Sequence, residues 1–235
     1  MSPNPFNDWT DHLHRNGFAV AENILSPAEV TRLLDALAEA VGAGGYAKRN
    51  LLQSVPEVAA VARGPLLMQL VQRVLGSNAF PIKGILFDKT PDANWKVAWH
   101  QDNMICVREK IETPGFGPWS MKDGVLNVMP PAEVLANILT VRVHLDDCGE
   151  GNGPLQIIPA SHHSGLLSRE EIDRWRERHH SVTCTVGSGG VLLMRPLTLH
   201  ASSAATAPRH RRVVHLEYAA DPLPNGLHWA VSAQS

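Results

Sequence analysis

The chain has 235 residues, is 44% hydrophobic and carries a formal net charge of −2, which is typical of a globular protein with one sizeable core. The small charge excludes a global attraction to nucleic acid or an anionic membrane. No apolar run reaches the roughly 18 residues of a membrane span. The N-terminus shows no signal-peptide pattern, and the three cysteines are odd in number and widely spaced. We therefore expect reduced thiols and a cytoplasmic location.

The first third of the chain predicts helices. Ser26–Glu29 reads S-P-A-E, a capping box with proline at the first helical position, and apolar residues follow it at helical spacing. Another helix is predicted over Pro65–Leu75. We expect a single domain over 1–235, in which a helical buttress of about 1–78 supports a β core of about 79–220.

From Ala79 onward the apolar period changes to two, which indicates strands. The predicted strands are Phe80–Lys89, Trp95–Cys106, Ile138–Leu145, Leu155–Ile158, Val182–Val186, Val191–Met194, Leu199–Ser202 and Arg212–Tyr218. A capping box at Ser168 predicts an inserted helix. The Gly- and Pro-rich segment Glu109–Pro131 is predicted to be a long loop that covers a site as a lid. Helices followed by short strands favour a mainly β fold with N-terminal helices, a double-stranded β-helix of the cupin-like jelly-roll type.

Several predicted strands carry polar residues on one face. Side chains alternate along a strand, so His100 and Asp102 point to the same side. The same pattern recurs in other strands: Thr140, Arg142 and His144; Arg211, His215 and Glu217; His200 and Ser202. If these faces line one cavity, the interior is basic and rich in histidine, which would be too costly without ligands.

Two imidazoles and one carboxylate form the facial triad that binds Fe(II) and leaves positions open for a co-substrate and dioxygen. His100 and Asp102 supply two such ligands, and His200 is the best third candidate. Arg211 follows His200 by eleven residues, and its guanidinium could bind a carboxylate through two hydrogen bonds. A second H-x-D pair, His144 and Asp146, is the rival set; the turn that begins at Asp146 argues against it.

Three segments together resemble one known family. They are W-H-Q-D ending at Asp102, N-G-P-L-Q-I-I-P-A-S-H at Asn152–His162, and L-L-M-R-P-L-T-L-H-A-S-S containing His200, which is followed by the basic run R-H-R-R. In this order and spacing they are similar to the phytanoyl-CoA dioxygenase family, Fe(II)- and 2-oxoglutarate-dependent oxygenases on a double-stranded β-helix. The resemblance extends from Phe80 to Tyr218.

The resemblance implies His100, Asp102 and His200 as iron ligands, with Fe(II), 2-oxoglutarate and O2 as cofactor and co-substrates. It implies that Arg211, assisted by Ser202, binds the distal carboxylate of 2-oxoglutarate. A carboxylate ligand favours hydroxylation of an unactivated C–H bond. We also predict co-substrate contacts from two residues of one strand face, Thr140 and Arg142. Family members often carry tryptophan at the position of Arg142.

The substrate is predicted to be a small molecule rather than nucleic acid or membrane, and the sequence indicates no oligomeric state. Its anionic character is predicted from Arg142, and an acyl-CoA and an amino acid or similar small acid both remain open. The candidate substrate contacts are Arg142, His144, Trp119 and Lys89. Lys83 and Lys89 share a strand face and could point inward, but as single lysines they are expected to reach solvent. Two other functions also remain open: a Zn- or Mn-dependent hydrolase or isomerase, and a binding module without catalysis.

Overall fold

The computed structural model describes residues 5–41 and 46–231. The helices in these ranges are α1 Pro5–Asn16, α2 Pro27–Val41, α3 Leu51–Ser54, α4 Pro56–Arg63, α5 Pro65–Leu75, α6 Ala132–Ala136 and α7 Arg169–Arg178. The strands are β1 Phe18–Ala21, β2 Ala47–Lys48, β3 Phe80–Lys89, β4 Val97–His100, β5 Ile105–Val107, β6 Trp119–Lys122, β7 Val125–Val128, β8 Leu139–His144, β9 Leu155–Ile157, β10 Val182–Cys184, β11 Val191–Met194, β12 His200–Ser202 and β13 Arg211–Ala219. None of these helices has the length and hydrophobicity needed to cross a bilayer.

The strands form a major sheet of order β1-β11-β8-β13-β3-β2, a minor sheet of order β10-β9-β12-β4 and a small sheet of order β5-β7-β6. The pairings within them are antiparallel. The major and minor sheets face each other, since Lys89 Nζ on the first lies 2.9 Å from Ser202 Oγ on the second. This is the predicted jelly roll, with the candidate site between the two sheets.

The main hydrophobic core lies on the outer face of the major sheet, under the helices. Strand residues such as Val141, Val143 and Leu216 pack there against helix residues such as Leu37 and Leu67. Each such side chain contributes about 1.5–3 kcal/mol when fully buried. The outer face of the major sheet therefore supplies the largest apolar core, which leaves the opposite face available for polar residues.

Most predicted elements are confirmed. β3 and α5 have the predicted bounds, and six other strands agree to within one or two residues at each end. Both capping boxes form: Ser26 and Glu29 bond reciprocally at the start of α2, and Ser168 and Glu171 do so at the start of α7.

The first 78 residues are not purely helical, which corrects the predicted buttress. β1 pairs with β11 at one edge of the major sheet, and β2 pairs with β3 at the other. These strands have four and two residues, too few for an alternating pattern to distinguish them from loop.

The predicted strand Trp95–Cys106 is two strands in different sheets, β4 and β5. On β4, Val97 pairs with Ser202 and His100 pairs with His200. Three steps along β4 thus match two along β12, which is a β-bulge. Because a bulge shifts the alternation by one residue, Val97 lines the same cavity as His100.

The segment Glu109–Pro131 is not an irregular loop. It contains the hairpin of β6 and β7, which pair directly. The turn residues Asp123 and Gly124 have φ of 49° and 76°, as a type I′ turn requires, and Asp-Gly is a preferred sequence for it. The hairpin packs on a separate apolar cluster that includes Val128, and none of these residues, all described, lines the cavity of the candidate site.

We predict that Gly124→Ala lowers the free energy of unfolding by about 1 kcal/mol, because a side chain disfavours the left-handed region. Space is not the cause, since a Cβ there meets nothing within 4 Å. Urea denaturation measures the change. Gly149→Ala is the matched control: it also has open space, but its φ is −77°. An equal loss in both variants would contradict the turn assignment.

Candidate metal and co-substrate site

Three side chains form a metal-binding group at the minor sheet. His100 at the end of β4 and His200 at the start of β12 are direct cross-strand partners, and Asp102 follows two residues after His100. One ligand atom from each lies within 4.8 Å of the others. The distances from Asp102 are 3.7 Å from Oδ1 to His100 Nε2 and 3.8 Å from Oδ2 to His200 Nε2.

Gln101, which lies between His100 and Asp102, fixes the chain directly after β4. Its buried amide donates to the carbonyls of Leu197 at 2.7 Å and Gly165 at 2.8 Å, and its oxygen accepts from the N–H of Leu167 at 2.9 Å. The N–H of Asp102 donates to the carbonyl of Pro196. These bonds hold the strand end against the segment that leads into β12, which brings the distant His200 to the other two ligands.

Both imidazoles are oriented by backbone carbonyls. His100 Nδ1 lies 2.9 Å from the oxygen of Ala98, and His200 Nδ1 lies 2.9 Å from that of Thr198. A carbonyl only accepts, so each Nδ1 carries the proton and each Nε2 offers its lone pair toward Asp102. A second hydrogen bond of this kind is the usual way in which proteins fix a metal-ligating histidine.

The protonation states also suit a metal. Burial lowers the pKa of His200 to about 4, so the imidazole is neutral at pH 7, the form that ligates. Burial alone would raise the pKa of Asp102, but the protonated forms of the nearby His200, His215 and His100, together with Lys83, outweigh it and lower the pKa. The buried Asp102 Oδ2 has no hydrogen-bond partner within the described ranges. The two Nε2 atoms and an unpartnered carboxylate oxygen fit a divalent cation with open positions, as in the Fe(II) facial triad.

The rival pair is not brought together. Asp146 leaves the cavity and pairs with Arg212 at 2.6 Å. His144 is buried on the inner face of the major sheet, and neither ring nitrogen has a hydrogen-bond partner in the part of the chain that the structure describes. Burial, then Arg142 and Arg211, lower its pKa to about 3, so it is neutral.

A second group, two buried cations, lies at one end of the cavity. Arg211 and Lys89 are direct cross-strand partners, although like charges in this position destabilise a sheet. Lys89 Nζ donates to Ser202 Oγ at 2.9 Å and to the carbonyl of Ser203 at 2.8 Å. Burial and then the charge of Arg211 lower its pKa to about 8. Arg211 donates to the carbonyl of Gly153, and its Nε has no partner within the described residues.

Arg142 is a third buried cation. Its Nη1 lies 2.9 Å from His215 Nδ1, its guanidinium carbon lies 5.7 Å from the centroid of the Phe87 ring, and its Nε has no described partner. Burial and then Arg211 lower its pKa to about 10. Within the described residues, neither Arg142, Lys89 nor Arg211 forms an ion pair with a carboxylate.

The expectation that Lys83 and Lys89 reach solvent is wrong. Lys89 is 1% exposed, and Lys83 pairs with the buried Glu217 at 2.9 Å. The bonds to Ser202 Oγ and to Glu217 offset the cost of burial, so both ammonium groups lie inside the jelly roll.

The cavity between the sheets has a volume of about 200 Å³. It is lined by Lys83, Ile85, Phe87, Trp95, Val97, His100, Asp102, Arg142, Leu155, His200, Ser202, Arg211, His215 and Glu217. Of the other predicted contacts, Lys89 borders it through Ser202, whereas Thr140 and His144 are buried beside it. Trp119 is elsewhere, packed against the apolar cluster under the β6–β7 hairpin.

Three polar or charged lining residues were not predicted as site residues: Lys83, His215 and Glu217. The signal was present, since H-L-E places His215 and Glu217 on the face that also carries Arg211. A larger groove of about 870 Å³ lies outside, between α1, β1 and β10. Among the described residues the only cluster suited to a metal is the His100, Asp102 and His200 group, so volume alone does not identify the site.

Solved structures confirm the fold class. AviO1 from Streptomyces viridochromogenes superposes with a TM-score of 0.68 at 22% identity, over 95% of this chain and 100% of that one. EctD from S. alaskensis, determined with 2-oxoglutarate and 5-hydroxyectoine, gives a TM-score of 0.69 at 20% identity, over 94% of this chain and 78% of that one. The fold and the triad together define the class of jelly-roll proteins with a 2-His-1-carboxylate metal site.

Within that class, the chain belongs to the phytanoyl-CoA dioxygenase family, whose model matches residues 13–213. It is 25% identical to an L-proline trans-4-hydroxylase of Streptomyces griseoviridis, over 68% of this chain and 62% of that protein. It is 23% identical to an ectoine dioxygenase of Bordetella bronchiseptica, over 90% of this chain and 74% of that protein. The chain thus spans somewhat less than two thirds of the first relative's length.

We predict that His100→Ala and His200→Ala each abolish stoichiometric Fe(II) binding, because each removes one of three protein ligands. Anaerobic titration with Fe(II) after removal of bound metal measures this. His144→Ala is the control, since its imidazole lies outside the group, and it is expected to retain the metal. Loss of iron binding in His144→Ala, together with retained iron binding in His100→Ala, would overturn the assignment.

Proposed function

We propose that this protein hydroxylates an unactivated C–H bond of a small anionic molecule, with Fe(II) held by His100, Asp102 and His200 and with 2-oxoglutarate and O2 as co-substrates. The observation that carries the proposal is the set of buried cations without carboxylate partners beside the triad. A buried charge is costly unless it is paired, and the co-substrate is a dianion that would pair two of them.

The distal carboxylate of 2-oxoglutarate is assigned to Arg211, Lys89 and Ser202. Arg211 and Lys89 repel each other across β13 and β3, and an anion between them removes that repulsion. Ser202 lines the cavity and already accepts from Lys89, so its hydroxyl proton is available to a carboxylate. Lys89 thus belongs to the co-substrate end rather than to the substrate, and the carboxylate would restore its pKa toward the ordinary value.

The substrate anion is assigned to Arg142. The cavity charges are +4 from Lys83, Lys89, Arg142 and Arg211 and −2 from Asp102 and Glu217, which gives +2. A bound divalent metal and the 2-oxoglutarate dianion cancel each other, so +2 remains for an anion to offset. A cavity of about 200 Å³ is smaller than drug-sized sites of roughly 300–1,000 Å³, which favours a small carboxylate over an acyl-CoA.

When bound, Fe(II) supplies the activation of O2 and the oxidative decarboxylation of 2-oxoglutarate to succinate and CO2. The protein's residues do the rest. Arg211 and Lys89 orient the co-substrate, and Arg142 orients the substrate. Phe87, Ile85 and Leu155 exclude water from the reacting groups. We also propose a cytoplasmic location, in keeping with three cysteines that form no disulfide.

Release of succinate from 2-oxoglutarate tests the function. We expect Fe(II)-dependent succinate formation that increases when the substrate is added. The screen covers amino and imino acids and their methyl esters. It includes L-proline and ectoine, because these compounds appear in the names of two relatives. A Zn- or Mn-dependent hydrolase or isomerase would not consume 2-oxoglutarate, and a binding module would form no product. Absence of succinate in the iron-loaded protein would refute the proposal.

We predict that Arg211→Ala weakens 2-oxoglutarate binding by about 2–5 kcal/mol, the usual cost of removing one partner of a buried charged pair. Anaerobic calorimetry on the metal-loaded protein measures the change. Arg212→Ala is the matched control on the same strand, because Arg212 faces outward and pairs with Asp146. Equal affinity in the Arg211 variant and the wild type would exclude the role.

We predict that Arg142→Gln weakens the substrate-stimulated rate at least tenfold, since it removes a charge worth about 1.4 kcal/mol or more to the substrate anion. Succinate formed without substrate should change less than twofold, because the co-substrate is held by Arg211 and Lys89. The ratio of the two rates is the measurement. An equal fall in both rates would assign Arg142 to co-substrate binding instead.

A further inference from the structure

A buried chain of four side chains links Arg142 to Lys83, and the three beyond Arg142 have no role in the reaction described above. On the inner face of the major sheet, His215 is the cross-strand partner of Arg142, and Glu217 is that of Lys83. The contacts are 2.9 Å from Arg142 Nη1 to His215 Nδ1, 3.1 Å from His215 Nε2 to Glu217 Oε1, and 2.9 Å from that oxygen to Lys83 Nζ. The chain crosses β8, β13 and β3 without a gap.

The donors and acceptors in this chain can be arranged in one way. A guanidinium only donates, so His215 Nδ1 accepts from Arg142 and carries no proton. Nε2 then carries the proton and donates to the Glu217 carboxylate. Lys83 donates to Glu217 and, at 3.0 Å, to the carbonyl of Met104. The imidazole of His215 is therefore neutral and in a single tautomer. Its acceptor, Glu217, is held in place by Lys83.

This arrangement orients a cation without neutralising it. Glu217 is neutralised by Lys83, and His215 carries no charge, so the unit charge left in the chain belongs to Arg142. A carboxylate placed directly beside Arg142 would orient it equally well, but it would cancel the charge that the substrate needs. A neutral imidazole between Arg142 and Glu217 avoids this.

We propose that His215 is a positioning residue that orients Arg142 toward the anionic group of the substrate while leaving its charge available, and that Glu217, held by Lys83, fixes the required tautomer. The inference rests on the proposed function only for the nature of the anion. It does not depend on which small acid is hydroxylated.

The tautomer is measured by nitrogen NMR of protein labelled with ¹⁵N-histidine and loaded with Zn(II), which is diamagnetic and redox-inert. We expect His215 to show a protonated Nε2 and an unprotonated Nδ1. In Glu217→Gln, which removes the charged acceptor and conserves volume, we expect a measurable fraction of the other tautomer. A wild-type His215 with a protonated Nδ1, or as an imidazolium, would overturn the proposal.

Anion binding at Arg142 is measured with acetate as the probe, in protein saturated with Zn(II) and 2-oxoglutarate so that Arg211 is already occupied. The readout is the shift of the Arg142 Nε–H signal. His215→Leu, which can neither accept nor donate, should weaken acetate binding about tenfold. His215→Gln can do both, and its binding should stay within about threefold of the wild type. His179→Leu, at a surface imidazole stacked on Trp175, should change nothing.

Each of these measurements either supports or refutes the positioning role of His215. Wild-type acetate affinity in His215→Leu, or no acetate-dependent shift of Arg142 in the wild type, would refute the positioning role. Thermal melting would show whether His215→Leu folds. If it does not, His215→Gln and Glu217→Gln are compared with the wild type instead. Equal acetate affinity in Glu217→Gln and the wild type would then refute the positioning role. Acetate binding as expected, with no succinate formed by the iron-loaded enzyme, would refute the proposed function and leave this inference standing.

Discussion

The repulsion between Lys89 and Arg211, placed side by side across two paired strands inside the jelly roll, is the constraint on which the site depends. A fold would not retain two adjacent buried cations for stability, since each loses hydration and each raises the energy of the other. The lowered pKa of Lys89, caused by burial and then by Arg211, records the same cost. An anion that bridges the two groups converts this cost into binding energy. The cavity is thus selective for an anion before any shape complementarity is considered.

Such a site requires a stable support, and the major sheet provides it through its two faces. Its outer residues pack against the helices in one large core, with Tyr218 additionally donating to the carbonyl of Ala62 at 3.0 Å. The inner residues of the same strands, two positions apart, are the charged ones. Successive side chains of a strand point to opposite faces of the sheet. The strands that supply stability through one face therefore also position Arg142, His215 and Arg211 rigidly on the other. Side chains on rigid strands need less reorganisation when ligands bind than side chains on loops.

The sequence predicted the fold well because the strongest signals were local. Alternation defined β3 and β13 and separated their faces, and capping boxes located two helix starts. It failed where a feature depended on partners distant in the chain. The bulge in β4 became visible only through its register with β12, so strict alternation along β4 would place Val97 and His100 on opposite faces although both line the cavity. The turn at Asp123-Gly124 was a local hairpin signal that the Gly and Pro content of its surroundings obscured. Among the site residues, Lys83 and Glu217 could not be recognised as a pair, because 134 residues separate them and only the pairing of β3 with β13 brings them together.

The charges of the cavity also favour an order of binding. The Lys89 and Arg211 pair is deep, beside Ser202, whereas His100 is at the open side with 38% of its side chain exposed. A dianion that enters first meets the full positive charge of the cavity and can reach the deep pair. With the metal and this dianion in place, the charge that remains unpaired on the substrate side is that of Arg142, since Glu217 already offsets Lys83. The second anion is then attracted to Arg142, which His215 holds near the metal-binding group. A substrate that arrived first would be drawn equally to the deep pair and would block it. The separation of the cations into a repelling pair and a single oriented arginine thus gives each anion its own place, and it favours co-substrate before substrate.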